Sequence, residues 1–213
     1  MVSLLSSGVR VGAFVWFAAS AVVAQEATIA TTAEATKPLQ VGQAIPRVSV
    51  KTTDGQNVAL SSLHKTRPVV LVFFRGGWCP ICTRHTQQLM KAYPRIKAAG
   101  AELVGISPDS PTSSNQNQAK HSIPFSILSD ADAAAMKAFG LAFELDAATL
   151  KRYQGFGIDV EQASGYKHHA LPIPAVYIVD RTGKVVYAHS DPNYRERLEP
   201  QAILDQLSKL PSP

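Results

Sequence analysis

Residues 68–82 read PVVLVFFRGGWCPIC, and the succession of patterns within them decides the fold. Pro68 opens the stretch, and Val69 to Phe74 is unbroken apolar sequence rich in β-branched and aromatic residues. An apolar run of this length between turn signals is what a strand buried on both faces requires. Arg75-Gly76-Gly77 ends it, and Trp78 leads into Cys79 and Cys82. Pro80, between the cysteines, suits a first helical position, where its missing N–H has no helical partner to lose. From there to Ala99, Leu89, Met90, Tyr93 and Ile96 recur at helical spacing, and Gly100 stands where helices commonly end.

Working outward, Arg47 to Lys51 and Asn57 to Leu60 flank Asp54-Gly55, a hairpin signal. Ala101 to Ser107 predicts the next strand, Pro111 to His121 a polar helix, and Phe125 to Leu128 a short strand. Asp130 is placed to cap a helix over Ala131 to Phe139. Val176 to Asp180 and Lys184 to Ala188 form a second hairpin, and Pro200 opens a last helix to Leu210. Leu141 to Ala170 carries no clear period. Strands alternating with helices predict an α/β fold with a central mixed β-sheet flanked by helices and an N-terminal β-hairpin extension. With Cys-x-x-Cys directly after the buried strand, that fold is thioredoxin-like.

Only two cysteines occur in the chain. Structural zinc needs about four ligands of Cys/His type. Haem attachment needs His directly after the second Cys, where Thr83 stands. The reading therefore calls for no cofactor. A bridge between Cys79 and Cys82 would close so short a loop that it constrains the unfolded chain little. The start of a helix, by contrast, favours thiolates through free N–H groups and the positive end of the dipole. Dithiol–disulfide chemistry is the function this predicts. Ile173-Pro174, before Val176, is similar to the cis-proline that faces the cysteine pair in thioredoxin-like proteins. Trp78 reads as a lid beside the thiols or as core filling, and Arg75 as a cation of the site or a charge on its rim. His85 is expected toward solvent. His168 and His169, with the cysteines, suggest a copper site as a further alternative.

Four stretches carry a family resemblance: FFRGGWCPIC (73–82), GISPDS (105–110), IPFSILSD (123–130) and PAVYIVD (174–180). Their order and spacing resemble the alkyl hydroperoxide reductase/thiol-specific antioxidant family, the peroxiredoxins, in the branch with a Cys-x-x-Cys. The resemblance implies that Cys82 holds the place of the peroxide-attacking cysteine. Cys79 then takes the place of the family's Thr or Ser, Arg75 that of its Pro, and Pro174 that of its Arg. The implied substrate is a hydroperoxide, with a thioredoxin-like or other thiol as electron donor. A protein disulfide is the alternative substrate, and a redox sensor or copper carrier the non-enzymatic alternative.

The chain has 213 residues, 46% hydrophobic and 17% charged, with a formal net charge of +5. Its Lys and Arg are scattered, so no nucleic-acid partner is expected. Residues 1–24 have the layout of a signal peptide: Arg10, then an apolar run from Val11 to Val23, then small residues at Val22 and Ala24. Export to the periplasm or beyond is expected, with no membrane association after cleavage. Residues 25–40 read as a flexible lead-in and 41–213 as one domain; oligomeric state is not legible.

Overall fold

The computed structural model describes residues 28–210, so the expected signal segment 1–24 lies outside the described residues. At the centre stands β3 (Val69–Phe73), buried along its whole length. It pairs in parallel with β4 (Glu102–Ser107) and antiparallel with β8 (Ala175–Val179). β5 (Ser126–Ser129) extends the parallel side, and β9 (Val185–Ser190) the antiparallel side. The hairpin of β1 (Ser49–Lys51) and β2 (Asn57–Ala59) joins beyond β5 through Lys51 opposite Ser129. The result is a seven-stranded mixed sheet in the order β2-β1-β5-β4-β3-β8-β9. The mixed sheet and the hairpin at its edge are those expected.

Alternation along β3 explains why both of its faces are apolar. Val69, Leu71 and Phe73 enter one core, with Phe139, Met136 and Tyr177; Val70, Val72 and Phe74 enter the other. That second core is roofed by α2 (Pro80–Ala98) through Leu89, Ala92 and Ile96, and by α7 (Pro200–Leu207) through Ile203 and Leu207. Each such side chain contributes about 1.5–3 kcal/mol on burial, which anchors β3 and α2 on either side of the turn that leads into the cysteines. The polar helix α3 (Pro111–His121), capped by the Ser110 side chain, lies between β4 and β5 in sequence, and α1 (Leu60–Leu63) and α6 (Val160–Ser164) are short.

Three expectations need correction. The lead-in is not separate from the core where it is described: Ala30 N–H donates to Ala142 O at 2.9 Å, and Leu39, in the core, donates to Phe139 O at 2.9 Å. Its backbone finds β6 (Ala142–Glu144), which also pairs with β7 (Ala170–Pro172), and pairing of this kind needs no apolar period. Second, Asp130 does cap a helix, by accepting from Ala135 and Met136 N–H at 2.7 Å each, but that helix, α4, spans only Ala134–Ala138. Ala133, at a left-handed φ of 63°, delays its start. Third, no cis peptide bond occurs among the described residues, so Pro174 is not a cis-proline. Ile173 N–H donates to Leu141 O and Pro174 O accepts from Asp191 N–H, which holds the segment in line with β8.

Candidate active site

Cys79 is the N-cap of α2, and its Sγ accepts from Cys82 N–H at 3.4 Å. Pro80 at the first helical position fixes that geometry. Both thiols are free, and both are almost fully buried, at 3% and 2% exposure, so neither presents itself to solvent more than the other. Their electrostatics differ. The Cys82 thiol and N–H both bond to Cys79 sulfur, and with Arg75 and Arg197 nearby they outweigh burial and lower its pKa to about 6. Cys82 is pushed well above the ordinary range, first by burial, then by hydrogen bonding to Cys79 and by the charge there. The reduced pair thus carries its first negative charge on Cys79, with the proton on Cys82.

Arg75 is not a rim charge. It is 3% exposed, with its guanidinium 4.2 Å from the ring centre of Tyr194, 5.4 Å from that of Tyr153 and 5.7 Å from that of Trp78. Burial lowers its pKa, and the two cysteines oppose that effect. Trp78 is half-buried, packs on the core cluster that includes both cysteines and meets Tyr153 at 5.6 Å. Pro174 lines two clefts, one with Arg75 and one with Arg197.

Arg197, His85 and Asp109 complete the site, and the sequence reading assigned none of them. Arg197, in the loop before α7, donates from Nη2 to Cys82 Sγ at 3.5 Å, so a cation reaches the sulfur although Pro174 stands where the resemblance puts the family Arg. His85 is buried one helical turn beyond Cys82, not turned to solvent. Its Nε2 lies 3.0 Å from Leu198 O, next to Arg197 in the chain, and burial lowers its pKa to about 4, so it is neutral at ordinary pH. Asp109 accepts from Gly77 N–H at 2.7 Å and so pins the two-glycine turn before the cysteines. Gly76 in that turn has φ of 141°, and a Cβ there would meet Trp78 Nε1 at 2.3 Å and Asp109 Oδ1 at 2.7 Å.

His168 and His169 are engaged elsewhere, with Ala131 O and with Glu161. Among the described residues no three His, Cys, Asp or Glu side chains are grouped to hold a metal ion, so the copper alternative finds no ligand set.

The AhpC/TSA family signature matches residues 41–188, a span that contains the strand, the cysteine pair, Asp109 and Pro174. The chain belongs to the AhpC/TSA family. Chloroplastic peroxiredoxin Q of Populus jackii is 31% identical over 169 residues, covering 79% of this chain and 66% of that protein. That of Sedum lineare is 30% identical over 169 residues, covering 79% and 76%. The chain spans just under two-thirds of the length of the Populus and Oryza sativa relatives, at 66% and 65%. Peroxidoxin BcpB of Mycobacterium tuberculosis has the same fold, with a TM-score of 0.64, 19% identity and coverage of 82% of this chain and 99% of that one. Prx3 of Vibrio vulnificus, solved reduced and with hydrogen peroxide, has a TM-score of 0.65 at 21% identity, covering 79% and 99%. In this AhpC/TSA protein the second guanidinium reaches the sulfurs from a loop near the C-terminal end of the described chain, beyond the matched span.

Proposed function

We propose that the protein is a thiol peroxidase that reduces hydroperoxides by cycling Cys79 and Cys82 between dithiol and disulfide. The observation that carries this is the pair itself: two free thiols at one helix start, the Cys79 sulfur accepting from Cys82 N–H, with two guanidinium groups beside them. Family membership and the peroxiredoxin Q relatives support the reaction.

Cys79 carries the charge at rest, so it makes the first attack, the reverse of the order implied by the resemblance. Its thiolate attacks the terminal hydroperoxide oxygen, the S–O bond forms as the O–O bond breaks, and the leaving alkoxide takes a proton from solvent to become the alcohol. Arg75 and Arg197 favour the thiolate, and they face the negative charge that develops on the leaving oxygen. Cys82 then attacks the Cys79 sulfenic acid, the disulfide forms and water leaves with the Cys82 proton. The sum is ROOH plus dithiol giving disulfide, ROH and water. A thioredoxin-like or other thiol donor restores the pair by exchange. Steady-state consumption of cumene hydroperoxide with dithiothreitol tests the proposal. Turnover that needs both cysteines is expected; a reduced protein inert to peroxide would refute it.

A second reading rests on the low pKa of Cys79, because the same thiolate can open a protein disulfide. Exchange with an aromatic disulfide faster than reaction with any hydroperoxide would favour it. Export is also part of the proposal, supported by the layout of residues 1–24. N-terminal sequencing of protein from the native host should begin near Gln25; recovery of Met1 in a soluble cytoplasmic fraction would contradict export.

A further inference from the structure

Arg75 sits where a cleft of about 320 Å³ meets the sulfur site. Its burial is nearly complete, yet its Nε has no hydrogen-bond partner, and among the described residues its guanidinium forms neither a hydrogen bond nor an ion pair. The ion pairs among those residues are Arg67 with Glu102 and His169 with Glu161, both away from it. A guanidinium is a planar fork of five N–H donors that fits a carboxylate through two parallel bonds. Buried donors left without acceptors are costly, and native structures seldom leave them so without a reason. The rings of Tyr153 and Tyr194 flank this cation at 5.4 and 4.2 Å from their centres, and neither hydroxyl accepts a hydrogen bond from it.

The cleft is also too large for a small peroxide. Its volume stands at the lower end of small-molecule sites, about 300–1,000 Å³, while a water molecule occupies about 30 Å³. Besides the two tyrosines, its walls include Phe143, Leu145 and Pro174, and Glu34, Glu144, Asp146 and one further cation, Arg152, stand exposed in its lining. An apolar body with one acid group at the Arg75 end fits those walls. A polyanion would meet the exposed acids.

We propose that this cleft takes organic hydroperoxides that carry a carboxylate, with Arg75 binding the carboxylate beside the sulfur pair. The proposal rests on the peroxidase reading and names its substrate class. Arg75 acts here as a specificity-determining residue, while its charge also supports the Cys79 thiolate. The two roles separate in a ratio of acid to ester, because any effect on the thiolate is common to both.

The test measures binding without turnover, by calorimetry on the reduced protein, with 4-(2-hydroxypropan-2-yl)benzoate and its methyl ester as probes. The acid should bind at least about tenfold more tightly than the ester, as a charge-assisted bidentate pair allows. In Arg75→Gln the two should bind within about twofold of each other, and Arg75→Lys should keep part of the preference. Tyr194→Ala, at an exposed wall position that tolerates truncation, should weaken acid and ester alike. Equal binding of the two probes to the wild-type protein overturns the proposal, as does an acid preference that survives in a folded Arg75→Gln variant. The matching hydroperoxides separate this proposal from the one beneath it. Turnover of cumene hydroperoxide with no acid preference overturns the carboxylate site alone. Acid binding through Arg75 with no hydroperoxide turnover upholds the anion site and overturns the peroxidase reading.

Discussion

Replacing Cys79 with serine is expected to slow the first reaction with hydroperoxide by at least about a thousandfold, the scale on which loss of a nucleophile acts. Cys82→Ser should keep that first reaction, because the N–H of residue 82 still donates to the Cys79 sulfur and Arg75 stays beside it. Dimedone should label the resulting sulfenic acid at Cys79, where no second thiol condenses with it. The sign of the pH dependence follows from the same geometry. The pKa of Cys79 is lowered to about 6 in the folded protein, so the thiolate is in place above that pH and is lost as the pH falls through it. The single-turnover rate should therefore be nearly flat above about pH 7 and drop about tenfold per unit below pH 6. Rapid dimedone labelling of Cys82 in Cys79→Ser would restore the opposite order, with Cys82 as the attacking sulfur.

The second large effect concerns the turn that carries the chain into the cysteines. Gly76→Ala puts a Cβ on a backbone at φ of 141°, within 2.3 Å of the Trp78 indole nitrogen and 2.7 Å of the buried Asp109 carboxylate. Asp109 cannot yield without releasing Gly77 N–H, so strain and overlap add to about 3 kcal/mol or more. For a domain of this size that corresponds to a fall in Tm of roughly 6–12 °C. Gly55→Ala is the control. It shares a positive φ of 85° but meets nothing within 4 Å, so it should cost only the backbone strain, about 1 kcal/mol. Thermal unfolding of both variants checks the difference; equal shifts would show that the close approach at Gly76 has no weight.

The sequence announced the centre of the molecule because β3 is buried on both faces and α2 has one apolar stripe. Unbroken apolarity and helical spacing are the two patterns a chain cannot conceal. The region 141–170 is opaque for the converse reason. β6 and β7 are three-residue strands, and α5 (Ala147–Gly155) buries no residue, so neither pattern arises there. The lead-in was misread because its partner, β6, lies more than a hundred residues away, and backbone pairing leaves no periodic mark on side chains. His85 is a different case. Cys82, His85, Leu89, Ala92 and Ile96 are the buried face of α2, at spacings of three and four, so the stripe itself placed His85 inward. Arg197 had no such signal. It follows Tyr194-Arg195-Glu196 in an exposed loop, and only the tertiary fold brings it to Cys82 across 115 residues. A site cation of this kind is visible when the structure is seen and not before.

The dithiol–disulfide cycle is tested most directly by a single turnover. Fully reduced protein is mixed with one equivalent of cumene hydroperoxide, the thiols are counted, and the oxidised protein is mapped by mass spectrometry. The account predicts that one equivalent of alcohol appears as both thiols disappear, and that the product is a monomeric chain with Cys79 bonded to Cys82. Two free thiols after the peroxide is consumed, or bridges formed only between chains, would contradict it.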